Sequence, residues 1–179
     1  MLPHVLALAL SAAPEAKLDE WVSSKNGSTR QLSYSDKSGA HVVRFQFDAG
    51  RERLDVVHTV GKKTVWSAKD FNKDCEFDRT FEVVEGSVQL TDLDDDGEPE
   101  ISFIYRVGCR SDVSPITVKL LMYEGATKYA LRGGSRERVG ENEFMGGDFT
   151  PDPAFDKAPA KFLEFAKAQW KKLVFEATP

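Results

Sequence analysis

The segment Thr91-Asp92-Leu93-Asp94-Asp95-Asp96-Gly97-Glu98-Pro99-Glu100 concentrates the chemistry of this chain. With Asp92 as position 1, side-chain oxygens fall at positions 1, 3, 5 and 9, and Gly97 occupies position 6. That spacing suits a hard cation. Asp92, Asp94 and Asp96 can turn their carboxylates inward, Gly97 permits a sharp turn, the backbone carbonyl of Glu98 can face the ion, and Glu100 can close the shell. An EF-hand needs a bidentate glutamate at position 12; that residue is Phe103, so the loop is not an EF-hand. Calcium is the expected ion. The competing reading is a solvated acidic hairpin turn, because Asp-Gly is a favoured turn pair. Against it, four carboxylates in phase repel one another without a counter-ion.

The elements that must position this loop read as strands. Short alternating runs at residues 31–34, 41–47, 53–60 and 64–67 are separated by turn residues, the pattern of an antiparallel meander. Residues 17–27 read as a lead-in strand or turn. Residues 77–84 and 88–90 read as one strand broken or bulged at Glu85-Gly86, and 101–107, 116–123 and 128–132 as further strands. The glycine-rich, charged stretch 132–148 is expected to be a mobile loop. At the C-terminus, Phe162, Phe165, Ala166, Trp170 and Leu173 recur at helical spacing, which predicts a helix over about residues 152–175 with one apolar stripe. Asp152-Pro153 and Ala158-Pro159 both offer helix starts. The predicted fold class is mainly β: an antiparallel twisted sheet or sandwich with one C-terminal α-helix packed on it, forming a single domain over residues 17–179.

Composition narrows the function classes. The net charge is −5 and basic residues are scattered, so the chain shows no nucleic-acid footprint and no polybasic patch for anionic lipid. The phosphate-binding, nucleophile-elbow and zinc-protease motifs are absent. His4 lies in the N-terminal run, while His41 and His58 lie in strand runs and read as surface or satisfied strand residues. A pair of acidic residues of the glycosidase type stays open, because spacing along the chain does not place two carboxyls in space. The expectation is a non-catalytic domain.

Residues 1–16 resemble a signal peptide: an apolar run at 5–10 followed by Ser11-Ala12-Ala13. The alternative is a helix or strand of the fold. The run is too short to span a bilayer, so the mature chain is expected to carry no transmembrane span. Cys75 and Cys109 are an even pair without metal-ligand spacing. In an oxidising compartment they are expected to form one disulfide, which in the chain-entropy account contributes roughly 3–4 kcal/mol. Two buried thiols in a cytosolic protein are the alternative. The combined expectation is a periplasmic or secreted location. The segment Cys109-Arg110-Ser111-Asp112-Val113-Ser114-Pro115 reads either as a recognition tip using Arg110, Ser111, Asp112 and Ser114, or as a good turn former.

Three resemblances follow from these residues. Over about ten residues, the D-x-D-x-D-G-x-x-E loop resembles the calcium loops of integrin-type (FG-GAP, or VCBS-like) β-repeat proteins. Over about residues 75 to 175, the loop, the Cys109–Pro115 segment, Lys119-Leu120-Leu121-Met122-Tyr123-Glu124 and Lys128-Tyr129-Ala130-Leu131-Arg132-Gly133 look like a family of bacterial envelope proteins carrying a surface-polysaccharide-biosynthesis label. That resemblance implies action at the cell envelope, with an envelope protein or glycan as partner. The loop-plus-strand pattern is also similar to periplasmic lysozyme-inhibitor families, which implies inhibition of a lysozyme-like hydrolase as the second reading.

Overall fold

The structure, a computed structural model, describes residues 12–48, 50, 52–72 and 75–175. The expected leader thus lies outside the described residues as far as residue 11. The first sheet, A, contains β1 (Ala16–Leu18), β2 (Val22–Ser24), β3 (Gly27–Asp36), β4 (Gly39–Asp48), β5 (Arg53–Val60) and β6 (Lys63–Phe71). Its order is β1-β3-β4-β5-β6, with β2 also paired to β3. The chain then forms β7 (Asp78–Val83), β8 (Gln89–Thr91), β9 (Glu100–Arg110), β10 (Thr117–Glu124) and β11 (Thr127–Gly134). A separate two-stranded hairpin, β12 (Arg136–Arg138) with β13 (Phe144–Gly146), precedes β14 (Phe149–Pro151). Sheet B has the order β14-β11-β10-β9-β7, with β8 also on β9. All pairings within the sheets are antiparallel.

Side-chain alternation decides how the sheets stack. On β4, His41, Val43 and Phe45 are buried while Arg44 and Gln46 are exposed, so sheet A has one dry face. That face packs on sheet B, with Val43, Phe45 and Val56 meeting Phe103, Tyr105 and Tyr123. The rings of Phe45 and Phe103 meet edge-on at 5.2 Å. Strand β9 is different: every residue from Ile101 to Arg106 is buried, because sheet B is covered on both sides. Its second face, with Ile104, Leu120, Met122 and Leu131, meets Phe162, Ala166 and Trp170 of α1 (Ala160–Leu173). The result is a sheet–sheet–helix sandwich, as the alternation predicts.

Both proline starts are used, but by two helices rather than the one expected over residues 152–175. Asp152 caps a short 3₁₀ helix, Pro153–Lys157, by accepting from the Ala154 N–H at 3.3 Å. Pro159 occupies the N-cap of α1. The break follows from Ala158, which is extended ahead of the proline ring. Buried Arg106 ties the other end of α1 to the sheet: it pairs with Glu82 at 2.8 Å and donates to the carbonyls of Leu173 (2.9 Å) and Phe175. The carbonyl of Leu173, the last residue of the helix, is thereby satisfied.

The expectation of a mobile loop at 132–148 is corrected. Residues 136–138 and 144–146 pair as β12 and β13. The Arg136 guanidinium lies over the rings of Phe144 and Phe175, 4.8 and 5.1 Å from their centroids, which holds the charged stretch against the end of the chain. The break at Glu85-Gly86 is seen as expected, since β7 and β8 are two strands that both pair with β9.

Trp170 is 2% exposed, and its indole N–H donates to the Gly147 carbonyl at 2.8 Å. Trp170→Ala should destabilise the domain by roughly 3–5 kcal/mol, the range for truncating a buried large aromatic. Urea unfolding measures it. A loss below about 1 kcal/mol would mean that α1 is not part of the core.

Candidate metal centre

The acidic loop joins β8 to β9 at the edge of sheet B. Two left-handed residues shape it, Asp95 (φ 64°) and Gly97 (φ 81°). Gly97 takes this conformation without the strain a Cβ imposes, and Asp is among the side chains that tolerate it. Asp96 closes a local turn by accepting from the Glu98 N–H at 2.7 Å. Asp95 points away from the centre to Lys161 of α1, at 3.5 Å.

Pairing across the sheet supplies what the loop alone lacks. Thr91, Glu100 and Glu124 stand opposite one another on β8, β9 and β10. Single carboxylate oxygens of Asp92, Asp94 and Glu100 lie within 4.8 Å of one another, and so do those of Asp94, Asp96 and Glu124. Asp94 belongs to both sets. Of the residues expected to bind metal, the structure brings together Asp92, Asp94, Asp96 and Glu100, and it adds Glu124. The carboxylate of Glu98 is in neither set; it faces the opposite side of the loop, beside Gly125 and the Tyr34–His41 hairpin. Glu124 lies 24 residues beyond Glu100 in the chain. An acidic residue ending a strand beside a hairpin glycine was the available signal for it.

The local electrostatics favour a positive charge. Glu100 has no exposed surface. It accepts from the Thr91 hydroxyl at 2.8 Å and from the Leu93 N–H at 3.0 Å. Burial pushes its carboxyl up to about 7; the Thr91 and Leu93 donors oppose the shift and the Asp94 charge adds to it. Glu124 is also raised, by burial first and then by Asp94, Asp96 and Glu98. Asp94 Oδ1 is buried and lacks a hydrogen-bond partner among the described residues. No lysine or arginine pairs with Asp94, Asp96, Glu100 or Glu124 among the described residues. An all-oxygen set with a buried orphan oxygen fits a calcium-like ion.

The remaining expected sites are elsewhere. Cys75 and Cys109 form the disulfide, 34 residues apart in sequence, fastening the segment before β7 to the end of β9. In the 109–115 segment, Arg110 donates to the Ser114 carbonyl at 2.7 Å and pairs with Glu137 at 3.2 Å, while Asp112 accepts from the Ser114 N–H at 2.8 Å. Ser111 is exposed at the tip. These polar groups organise the turn itself, as Asx and Ser turn chemistry does.

Of the two strand histidines, His41 is a satisfied strand residue, as the sequence suggests, while His58 keeps one buried nitrogen without a partner among the described residues. His41 and His58 are 7% and 3% exposed, and His41 Nδ1 lies 2.9 Å from His58 Nε2. A turn brings Asp36 and Ser38 onto His41 Nε2, at 2.9 and 2.8 Å. The β3–β4 hairpin, not a sequence motif, creates these contacts.

Compared with protein-family models, curated proteins and solved structures, the chain matches none.

The buried carboxyl has a measurable consequence. Glu100 is raised in the folded state above its ordinary 4.5, so its contribution to stability is full below about pH 4.5 and is lost as pH rises through about 7. In chelator, Glu100→Gln should therefore gain stability relative to the parent as pH goes from about 5 to about 8. Parallel melts of the two proteins measure that difference, and a constant offset across this range would mean that Glu100 is not raised.

Proposed function

We propose that the chain is an exported, non-catalytic domain that binds calcium at the Asp92–Glu100 loop and acts at the cell envelope. The observation that carries the reading is Asp94, whose carboxylate joins both oxygen sets while its Oδ1 is buried and unpartnered. Burying a carboxylate oxygen in this way is unfavourable unless something positive meets it. The ligands are Asp92, Asp94, Asp96, Glu100 and Glu124, with the backbone carbonyl of Glu98 available to the same ion. Thr91 and Leu93 hold Glu100 in place, so the two glutamates are fixed on strand ends while the three aspartates come from the loop. Mixed carboxylate and carbonyl donors on a bent loop favour calcium over the smaller magnesium, which demands stricter octahedral geometry.

Calcium should raise the melting temperature, and magnesium should raise it less. Extracellular modules bind calcium with dissociation constants of roughly 0.1–1 mM. At a hundredfold excess over that constant the linkage gain is about 2.7 kcal/mol. Asp94→Asn and Glu124→Gln should each abolish most of the gain, whereas Glu98→Gln, which leaves the backbone carbonyl intact, should preserve it. Identical melts of the parent protein in chelator and in saturating calcium would reduce the loop to an acidic turn.

The Cys75–Cys109 bridge supports the exported part of the reading, because disulfides persist in oxidising compartments. The resemblance to envelope proteins carrying the polysaccharide label supports a glycan or an envelope protein as partner. The exported protein should begin near residues 13 to 17 and contain no alkylatable thiol. Intact-mass analysis of periplasmic or secreted material, with and without reductant, checks both points; an unprocessed cytosolic chain with two free thiols would overturn them.

A further inference from the structure

The other side of the acidic loop walls a cleft of about 270 Å³ between the two sheets. Asp36, His41 and His58 line it from sheet A and Glu98 lines it from the loop, while Val60, Val65 and Ile101 make its surface largely apolar.

Hydrogen bonds tie the polar groups of the cleft to one another. Asp36 Oδ1 accepts from the Ser38 N–H and from the Ser38 hydroxyl, both at 2.7 Å, and lies 2.9 Å from His41 Nε2. Burial opposes ionisation of Asp36, but the Ser38 and His41 contacts outweigh it and hold the carboxyl below its ordinary value. Asp36 is therefore an acceptor, and His41 Nε2 carries the hydrogen. On the other side of the ring, His41 Nδ1 lies 2.9 Å from His58 Nε2. The remaining ring nitrogen, His58 Nδ1, is buried and has no hydrogen-bond partner among the described residues. His58 is pushed down to about 4 by burial and then by His41, with Asp36 opposing, so it stays neutral at physiological pH. On the same wall, Tyr34 stacks on His41 at 4.3 Å and is raised by burial and then by the Asp36 and Glu98 charges. Lys37, exposed on the hairpin tip, is the cation at the rim.

We propose that this cleft is a binding site for an alkylammonium or guanidinium group on an apolar stem, with Asp36 and Glu98 as its charged acceptors, the unpartnered His58 ring beside them, and the valine and isoleucine side chains around the stem. The chemistry is that of a free amine or of a lysine or arginine side chain presented by a partner protein. The site stands apart from the calcium reading, since the Glu98 carboxylate lies in neither oxygen set of the metal centre.

The test is a titration in calcium-free buffer at neutral pH, followed at the His58 ring nitrogens by NMR. The free probes are n-butylamine and n-butylguanidine; the presented ones are capped Gly-Lys-Gly and Gly-Arg-Gly peptides; n-butanol is the uncharged control. Saturable shifts at His58 are expected for at least one cationic probe and none for n-butanol. Glu98→Gln and Asp36→Asn should each weaken binding about tenfold. Glu98 is exposed, so Glu98→Gln keeps the test valid if Asp36→Asn fails to fold. Tighter binding of a peptide than of its free counterpart assigns the site to a presented side chain, and the reverse assigns it to a free amine. No saturation by any cationic probe up to about 50 mM, well past the millimolar range of a weak specific site, would overturn the proposal. So would binding that Glu98→Gln leaves unchanged.

Discussion

A carboxylate buried at the start of β9 is the constraint around which the acidic end of the molecule is organised. Sheet B is dry on both faces, and Glu100, the first residue of β9, has no exposed surface. An ionised carboxylate there is costly without compensation. Two local donors, the Thr91 hydroxyl and the Leu93 N–H, provide part of it. The neighbouring charges do the opposite: Asp94 raises Glu100, and Asp94 and Asp96 raise Glu124. A divalent ion would reverse the sign of each of these interactions at once, turning mutual repulsion into shared attraction. The calcium proposal follows from that imbalance more than from the spacing of aspartates.

The same strand explains why one loop faces two environments. Successive residues of β9 point to opposite faces, so Glu100 shares the helix-side face with Ser102 and Ile104, while Ile101 joins Phe103 in the core between the sheets. The loop before it therefore has a carboxylate-rich side against sheet B and a Glu98 side against the Asp36–His41–His58 cluster. A row of rings links this cleft to sheet B. Tyr34 stacks on His41 at 4.3 Å, His58 follows at 5.1 Å and Trp66 at 5.3 Å, and Trp66 stacks on Tyr123 at 3.9 Å. Tyr123 directly precedes Glu124, so the two regions share a rigid, packed frame.

The strands of sheet A were legible because one dry face imposes a strict alternation, as at His41, Val43 and Phe45. The long apolar run of β9 and the aromatic stripe of α1 were legible for the complementary reason that each buries more than a turn residue could. The aspartates of the loop were visible from spacing alone. Glu124 was not, because its place in the cluster comes from the register between β9 and β10. The histidine pair escaped for the same reason, since only hairpin pairing brings Asp36 and Ser38 to His41 and places His58 beside it. The 132–148 stretch misled because its order comes from Arg136 lying over two rings, one of them at the far end of the chain. Contacts made across the sheet carry no local signature; contacts along one strand or helix do.

The most direct measurement of the calcium proposal is a crystal structure grown in saturating calcium, with the ion identified by anomalous scattering. The account predicts one ion bound by Asp94 together with at least two of Asp92, Asp96, Glu100 and Glu124, at oxygen distances of about 2.3–2.6 Å. A loop that holds no ion under those conditions, or an ion held elsewhere without Asp94, would contradict it.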